Sequence, residues 1–331
     1  MNKRINMRKK LCKKLLPIVA AVILLILMIY GGLRVAESAV ISNEQQNEIT
    51  SKTIVKDSIA YYPRQDICVI MVLGIDAKGQ VVPSEEANHG NAVDMITLLI
   101  FDEKDETLSL LSLNRDTMVE MPRLNEYGKE TGTRVAQLAL SHTYGRGVED
   151  SCINTKKAVS NLLYGLAIDY YFAMNMDAVG ILNDAVGGVS VVVEDDFSNV
   201  DSSLTLGAIT LNAEQAVVFV QSRKAVGDQL NISRIGRQQQ YMERFIKALH
   251  TKLEQNTVFA AQMYDSVSEY VVTDLSPSTL SRMANEYSDY SIKDVLTLKG
   301  ENLRGEQYYE FHVDEDALEE LVLDLFYEEK G

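Results

Sequence analysis

The sequence predicts a layered α/β/α domain, with a central mixed sheet flanked by helices, preceded by one transmembrane helix. Short continuous apolar runs, typical of strands buried on both faces, occur among segments whose apolar residues recur at helical spacing. Strands that alternate with amphipathic helices in this way usually form a sheet covered by helices. Before these elements, residues 15–33 contain no charged side chain. That stretch predicts the transmembrane helix.

The uncharged segment Leu15–Leu33 is long enough to cross a bilayer, since a helix of this length measures roughly 28 Å at about 1.5 Å per residue. The alternative is a cleavable signal peptide, whose apolar region is usually about 7–15 residues long. Residues 1–14 contain seven basic side chains and no acidic one. Such a tail stays in the cytoplasm, so we expect all residues after the helix to lie outside. The seven are Lys3, Arg4, Arg8, Lys9, Lys10, Lys13 and Lys14.

Residues 34–66 are polar and lack an apolar stripe, which predicts an extracellular stalk, and residues 67–331 form the predicted extracellular domain. Cys68 and Cys152 both fall in this domain. A disulfide can persist outside the cytoplasm, but the sequence leaves their pairing open.

The domain is predicted to begin with the apolar strand Ile67–Ile75, followed by Asp76. Met95–Phe101 and Leu108–Leu113 flank a short charged segment and predict a hairpin. The later predicted strands are Tyr170–Met174, Val189–Val193 and Gln307–Val313. The predicted helices are Arg134–His142, Asp150–Tyr164, Asp177–Val186, Leu211–Gln221, Asn231–Leu253, residues 258–270, residues 277–289 and one at the C-terminus.

Several function classes have little support in the sequence. It has four histidines and contains no HExxH, GxSxG or CxxC motif, no Walker A loop and no dinucleotide-binding glycine pattern. Seven of the 32 basic residues lie in the N-terminal tail, so the rest is more acidic than the net charge of −15 indicates. An acidic domain repels a nucleic acid backbone, so no nucleic acid partner is expected.

A first set of candidate residues lies at strand ends. Asp76 ends the first predicted strand, Asp94 precedes the second, and Arg115 and Asp116 follow the third. Ligands of open α/β sheets bind at the carboxyl ends of strands, so these positions suit a binding site. Taken singly, each side chain is more often a solvated loop charge or a helix cap.

A second set surrounds the start of the longest predicted helix. Arg223 precedes a loop, and the helix that begins near Asn231 contains Arg234, Arg237 and Gln238. Helix N-termini attract anions, and guanidinium groups match phosphate oxygens in pairs. The pattern predicts a phosphate site, although salt bridges to the many acidic residues would produce the same composition.

Over roughly residues 67–252 the chain resembles the LytR-CpsA-Psr family of cell-wall proteins. VLGIDAKG (Val72–Gly79) is similar to the family's first strand with its aspartate, and LLSLNRDTMVEMP is similar to its arginine–aspartate signature. NAVDMITLLIFD is similar to the family's second motif, and Ile168–Val193 is similar to its central segment. LNAEQAVVFVQSRKAVGDQLNISRIGRQQQ (Leu211–Gln240) is similar to the closing motif.

This resemblance implies a membrane-anchored, Mg²⁺-dependent phosphotransferase of cell envelope assembly. Such enzymes move a glycopolymer from a polyprenyl-pyrophosphate carrier to peptidoglycan through a phosphodiester link. Carried over to matching positions, Asp76 and Asp94 would hold the metal or act as base, and Asp116 would orient Arg115. The phosphate-binding side chains would be Arg115, Arg223, Arg234, Arg237 and Gln238. An apolar slot would hold the prenyl chain, with Val159–Leu166, Val179–Leu182 and Ala216–Val220 as candidate lining.

The chain departs from the family pattern at four positions. Ala92 and Gln221 stand where the family usually has arginine, Asn114 where it has proline, and Asn231 where it often has aspartate. Loss of two arginines leaves a second hypothesis open, a non-catalytic polyprenyl-phosphate binding protein of the envelope. Arg64, Arg123 and Arg146 are candidates to supply, from elsewhere in the fold, the positive charge missing at Ala92 and Gln221.

Overall fold

The computed structural model describes residues 53–83, 86, 90–125, 127–145, 148–227, 231–306 and 308–329. The predicted cytoplasmic tail, the transmembrane helix at residues 15–33 and the stalk up to residue 52 lie outside these ranges. Within the ranges, every helix is too short or too polar to cross a membrane.

Strands and helices alternate along most of the described chain. The strands are β1 (Ile54–Lys56), β2 (Ile59–Pro63), β3 (Ile67–Ile75), β4 (Val93–Asp102), β5 (Thr107–Leu113), β6 (Met118–Leu124), β7 (Glu130–Gln137), β8 (Tyr170–Asn175), β9 (Val189–Val193), β10 (Gly207–Leu211), β11 (Val271–Thr273), β12 (Ser291–Thr297), β13 (Gly300–Arg304), β14 (Tyr309–Val313) and β15 (Tyr327–Glu329). The α-helices are α1 (Val148–Leu162), α2 (Met176–Ala185), α3 (Ala213–Gln221), α4 (Asn231–Gln255), α5 (Phe259–Val267), α6 (Pro277–Glu286) and α7 (Glu315–Phe326). Short 3-10 helices cover Leu138–Thr143 and Ser268–Tyr270.

The central sheet is mixed and has six strands in the order β11-β8-β3-β4-β5-β12. β3 pairs antiparallel with β4 and parallel with β8, and β5 pairs antiparallel with β4, which confirms the predicted hairpin. The carboxyl ends of β3, β5 and β8 therefore meet the amino end of β4 at one edge of the sheet. This edge, which we call the Asp94 edge, carries Asp76, Asp94 and Arg115.

Helices cover both faces of the sheet, which confirms the α/β/α arrangement. Met71 and Leu73 of β3 face Val159 of α1 and Val322 of α7 in the largest apolar cluster. Alternate residues of β3, such as Val72, face Met283 of α6 and Met242 of α4 on the opposite side. Because adjacent strand residues point to opposite faces, a continuous apolar run is what a sheet covered on both sides requires.

Two predicted elements differ from the structure. Residues 134–142 form the end of β7 and a 3-10 helix, because β7 pairs with β6 in a hairpin, and Thr133 and Val135 favour extended backbone. Val189–Val193 is a strand, but it pairs only with β10, outside the central sheet. Its exposure alternates, as expected for a strand with one covered face.

Part of the predicted stalk is folded. β1 and β2 form a hairpin, and β2 pairs antiparallel with β15 at the other end of the chain. Ile54 and Tyr61 pack against the main apolar cluster. The folded unit therefore begins before Ile67, since these short strands gain their stability from a partner remote in sequence.

Cys68 and Cys152 do not form a disulfide. Cys68 and Cys152 are both free and buried, and they belong to the apolar clusters on opposite sides of the central sheet. Burial raises the pKa of the Cys68 thiol to about 12. Burial likewise raises the pKa of the Cys152 thiol, so both side chains act as apolar core residues.

Candidate functional site

Two arginines share one buried carboxylate at the Asp94 edge. Asp94 Oδ1 forms an ion pair with Arg115 Nη1, and Asp94 Oδ2 lies 2.8 Å from Arg234 Nη1. Arg115 follows β5, whereas Arg234 comes from the first turn of α4. Their side chains are only 18% and 3% exposed. The ion pairs therefore fasten the start of α4 to the sheet edge.

A second acid, Asp116, extends the cluster toward solvent. Its Oδ1 lies 3.7 Å from Arg115 Nε, and its Oδ2 lies 3.8 Å from Arg223 Nη1. The Arg223 side chain is 37% exposed, so it forms the open side of the group. We call Arg115, Arg223 and Arg234 the arginine cluster. Asp116 therefore lies between Arg115 and Arg223.

The arginine cluster holds more positive charge than its two buried acids offset. Burial, and next the charge of Arg234, lower the pKa of the Arg115 guanidinium to about 10. Burial is also the main cause that lowers the pKa of Arg234 to about 10, with Arg223 second. Both groups are charged at neutral pH. An anion placed among them would relieve this repulsion.

One donor of the cluster has no acceptor. Arg115 Nε is buried and forms no hydrogen bond within the described residues. The separation of 3.7 Å from Asp116 Oδ1 is too long for one. An unsatisfied buried donor costs about 1–3 kcal/mol, which an oxygen of a bound anion would recover.

Asp76 differs from the other acids in being exposed. Its Oδ1 accepts a hydrogen bond of 3.0 Å from Gln221 Nε2, and its backbone N–H donates to Ala92 O at 3.0 Å. Two of the departures from the family pattern therefore both contact Asp76. No other side chain of the described chain bonds its carboxylate, so one oxygen remains open to solvent.

The other two departures contact each other. Asn231 Nδ2 donates to Asn114 Oδ1 at 2.8 Å, and Arg234 Nε donates to Asn231 Oδ1 at 3.0 Å. Asn114 Oδ1 also accepts from the Asp116 backbone N–H at 3.0 Å. This buried pair of amides links the loop after β5 to α4 and orients both Arg234 and Asp116.

Arg237 and Gln238 lie away from the arginine cluster. Arg237 forms an ion pair with Asp195 and donates through Nε to Phe219 O at 3.0 Å, and it also bonds Ser222 O. Gln238 Nε2 donates to Val220 O at 3.0 Å. These side chains join α4 to the end of α3, and thus support the segment that carries Arg223.

Of the three arginines that could replace the missing ones, the two that the structure describes do not join the cluster. Arg64 pairs with Asp66 and Asp102, which lie at the opposite edge of the sheet. Arg123 is an exposed residue of β6. Arg146 lies outside the described residues.

The acidic residues fit a metal unequally. Mg²⁺ takes oxygen ligands and needs only one or two carboxylates besides phosphate oxygens and waters. Asp76 suits such a role, since its carboxylate has an open oxygen. Asp94 does not, because arginines engage both of its oxygens. In the ranges that the structure covers, no three acidic, histidine or cysteine side chains gather as a metal site.

An apolar cavity of about 940 Å³ lies between the sheet and the helices α4, α5 and α6. Val72 and Leu99 line it from the sheet, and Met242, Met263 and Leu280 line it from the helices. α4 links this cavity to the arginine cluster, because Met242 follows Arg234 by eight residues, about 12 Å along a helix.

The expected lining of the slot is largely different from the observed one. Of the three predicted runs, only Leu182 borders the cavity. Val159 and Leu163 pack on the opposite face of the sheet, and Ala216 and Val220 pack against the β9–β10 hairpin. The residues that do line the cavity include the apolar side of α4, which was visible in the sequence as Met242, Phe245, Ile246 and Leu249.

Gln137 is a residue of the site that sequence reasoning missed. Its Nε2 donates to Asp116 Oδ1 at 3.2 Å and to Tyr309 O at 2.8 Å. Nothing in the local sequence distinguishes this glutamine at the end of β7 from a surface residue.

The arginine cluster lies at the start of α4, and the later turns of α4 line an apolar cavity. This arrangement defines a class of α/β protein that suits a phosphate with a hydrocarbon chain. The chain belongs to the LytR_cpsA_psr family, which matches residues 29–325. This membership confirms the family resemblance.

Several curated relatives share a name, polyisoprenyl-teichoic acid–peptidoglycan teichoic acid transferase. TagU of Halalkalibacterium halodurans is 30% identical over 250 residues, which cover 74% of this chain and 73% of that protein. TagV of Bacillus subtilis is 24% identical over 309 residues, which cover 89% of this chain and 72% of that protein.

Solved structures share the fold. The crystal structure of B. subtilis TagV matches with a TM-score of 0.61 at 24% identity, covering 79% of this chain and 96% of that chain. TagT bound to LI-WTA matches with a TM-score of 0.61 at 21% identity, covering 84% of this chain and 96% of that chain.

Proposed function

We propose that this protein transfers a glycopolymer from a polyprenyl-pyrophosphate carrier to peptidoglycan, with formation of a phosphodiester link. The observation that carries the proposal is the arginine cluster, with its unsatisfied Arg115 Nε, at the start of the helix whose later turns line the cavity. A lipid pyrophosphate has the same two parts, an anionic head and a hydrocarbon chain. The names of the curated relatives support this assignment.

The head group is assigned to the arginine cluster. Arg115 and Arg223 would contact the pyrophosphate oxygens, since Arg115 has a free donor and Arg223 is partly exposed. Guanidinium groups in a buried setting stabilise the negative charge that develops as a pyrophosphate breaks. Asp94 and Asp116 would act by holding these arginines in place and not by touching the substrate.

The polyprenyl chain is assigned to the apolar cavity. Each buried CH₂ group contributes about 0.8 kcal/mol, so even part of a long chain supplies substantial binding energy. This energy would keep the head group at the arginine cluster while the second substrate approaches from the exposed side of Arg223.

In the proposed reaction, a peptidoglycan hydroxyl oxygen attacks the phosphorus that bears the glycopolymer. A new P–O bond forms, the bond to the bridging oxygen breaks, and polyprenyl phosphate leaves. The hydroxyl proton ends on the released phosphate or in solvent. Mg²⁺, with Asp76 as its protein ligand, would neutralise part of the pyrophosphate charge.

We also propose that residues 15–33 anchor the protein in the cell membrane with residues 1–14 in the cytoplasm. The folded unit would then lie outside, beside peptidoglycan. Protease added to wall-stripped cells should digest it, and full protection would contradict this topology.

The activity is tested with the full-length protein in detergent, a synthetic saccharide-pyrophosphate-polyprenol and peptidoglycan. Release of polyprenyl phosphate should require wild-type protein and Mg²⁺. Arg115→Lys keeps the charge but loses the planar fork, so we expect activity to fall on the order of 10²-fold, as for loss of one preorganised donor. Arg123→Lys, on the exposed strand β6, should change activity little.

Two outcomes would contradict the proposal. If Arg115→Lys and Arg123→Lys have equal activity, the arginine cluster is not the reacting site. If wild-type protein binds the lipid without ever cleaving it, the non-catalytic binding protein is the better description. The glutamine and alanine that contact Asp76 in place of the family's arginines are the observation that favours this second function.

A further inference from the structure

We propose that Arg304 and Tyr309, on the C-terminal hairpin β13–β14, form a saccharide subsite beside the arginine cluster. The subsite would bind an anionic sugar unit of the donor glycopolymer. This inference rests on the proposed function and assigns a substrate preference to the same site.

The hairpin is joined to the loop that carries Arg115 and Asp116. Thr117 and Phe311 form a parallel bridge, and the Phe311 N–H donates to Asp116 O at 2.8 Å. Arg115 and Asp116 themselves lie in a turn, in which the Thr117 N–H donates to Asn114 O at 3.0 Å. The hairpin therefore contacts the turn that carries Arg115.

Gln137 fixes this position by a second contact. Its side-chain nitrogen donates both to Tyr309 O, at 2.8 Å, and to Asp116 Oδ1, at 3.2 Å. The Gln137 amide nitrogen therefore bridges the Tyr309 carbonyl oxygen and the Asp116 carboxylate, which contacts Arg115 and Arg223. The hairpin cannot shift relative to the arginine cluster without loss of these bonds.

Two exposed side chains on this hairpin have the chemistry of an anionic sugar site. Tyr309 is 45% exposed, and its strand partner Arg304 places its guanidinium carbon 5.0 Å from the centre of the tyrosine ring. An aromatic ring offers a flat apolar face on which a sugar ring can lie, and a guanidinium binds phosphate or carboxylate.

The charge of Arg304 is not neutralised by its surroundings. It forms no ion pair with any acid that the structure describes, although the chain has a net charge of −15. The nearby carboxylate of Glu310 is paired with His312, at 2.9 Å from His312 Nε2. An exposed cation of this kind is available to an incoming anion.

The donor glycopolymer is the substrate that fits this position. Its first sugar is covalently joined to the phosphate that the arginine cluster would hold, so the next sugars must lie on the adjoining surface. A phosphate or carboxylate on such a sugar would meet Arg304. Peptidoglycan, the acceptor, needs to present only a neutral hydroxyl group to the phosphorus. Its binding therefore does not call for a cation such as Arg304.

The test measures binding of three lipids to the full-length protein in detergent by titration calorimetry. They are a polyprenyl pyrophosphate without sugar, one with a neutral disaccharide, and one whose second sugar bears a phosphate. Arg304→Ala should weaken binding of the phosphorylated donor roughly 5- to 10-fold, the effect of one charged hydrogen bond at a partly exposed site. The affinity for the other two lipids should change less than about twofold.

Tyr309→Ala should weaken binding of both sugar-bearing lipids, and Tyr309→Phe should bind them as the wild type does. Arg282→Ala, at an exposed cation on α6, is the control and should leave all three unchanged.

The outcomes separate this inference from the proposed function. The subsite is wrong if Arg304→Ala weakens binding of the neutral and the phosphorylated donor equally, or weakens binding of neither. In both cases, wild-type binding of the sugar-free lipid would still support the lipid site. If wild-type protein binds none of the three lipids, both the subsite and the proposed function fail.

Discussion

At the residue scale, the four acids and arginines predicted from strand ends divide into different roles. Asp94, expected to hold the metal or act as base, is buried between Arg115 and Arg234. Asp76, predicted for the same task, is exposed and has a free oxygen. The two side chains have the same chemistry and differ only in their neighbours. Asp94 is surrounded by arginines, whereas Asp76 faces solvent.

The difference between the two acids predicts opposite effects on stability. Asp94→Asn leaves two buried guanidinium groups without their counter-charge, so the free energy of unfolding should fall by about 3 kcal/mol. Asp76→Asn alters an exposed side chain and should change it by less than about 0.5 kcal/mol. Both should reduce Mg²⁺-dependent turnover. Urea denaturation and the lipid-release assay measure the two properties. Equal stability of the two variants would show that the Asp94 ion pairs contribute nothing net.

The departures Asn114 and Asn231 are best understood as a pair. Each is an unusual residue when its own motif is considered, but together they form one buried hydrogen bond of 2.8 Å. Proline has no side-chain acceptor for such a bond. The two substitutions therefore preserve the link between β5 and α4 by a different chemistry, and they do not by themselves indicate a lost activity.

At the element scale, α4 (Asn231–Gln255) joins the two halves of the proposed lipid site. Its first turns carry Arg234, and its later turns line the cavity. The apolar spacing in the sequence predicted the helix and its buried side. It could not predict that this side faces an open cavity and not a filled core, since both need the same residues.

The assignment of the cavity to the prenyl chain predicts a dependence on chain length. Leu280→Trp introduces a larger side chain into the cavity lining on α6, so binding of a long polyprenyl donor should weaken at least about 10-fold, the loss expected from displacing two or more buried CH₂ groups. A donor with two isoprene units should bind almost unchanged. Val258→Trp, at an exposed position before α5, is the matched control. Equal losses of affinity for the short and the long donor would show that the polyprenyl chain does not bind in this cavity.

At the scale of the whole molecule, the two ends of the folded unit close on each other. β1 and β2 come from the predicted stalk, and they join the folded unit by pairing with β15 and by packing Ile54 and Tyr61 on the main core. The C-terminal hairpin β13–β14 returns to the loop after β5 in a similar manner. Residues after 255, which lie beyond the family resemblance recognised in the sequence, therefore complete both the core and the candidate site.

Removal of the first two strands should destabilise the domain. A chain shortened to residues 67–331 loses Ile54 and Tyr61 from the core and leaves the edge of β15 unpaired. We expect its free energy of unfolding to be about 2 kcal/mol or more below that of residues 51–331. Val55→Ala, at an exposed side chain of β1, should have little effect. Identical melting temperatures for the two lengths would show that these strands are not part of the cooperative unit.

The sequence by itself determined the family, the α/β/α class and the elements whose signals are local. The strand Ile67–Ile75, the β4–β5 hairpin and the long helix α4 all follow from apolar spacing within a few residues. The sequence also identified Arg115, Arg223 and Arg234, which the structure brings together.

Only the tertiary structure decided which side chains share a site. It separated Arg237 and Gln238 from the arginine cluster, added Gln137, and placed the cavity beneath α4 to α6 and not along α1. These outcomes depend on how strands and helices remote in sequence pack against one another. Periodicity specifies which side of an element is buried, but the partner on that side is selected by sheet order and register. For this reason a local pattern identifies candidate residues, and the packing of distant elements assigns their roles.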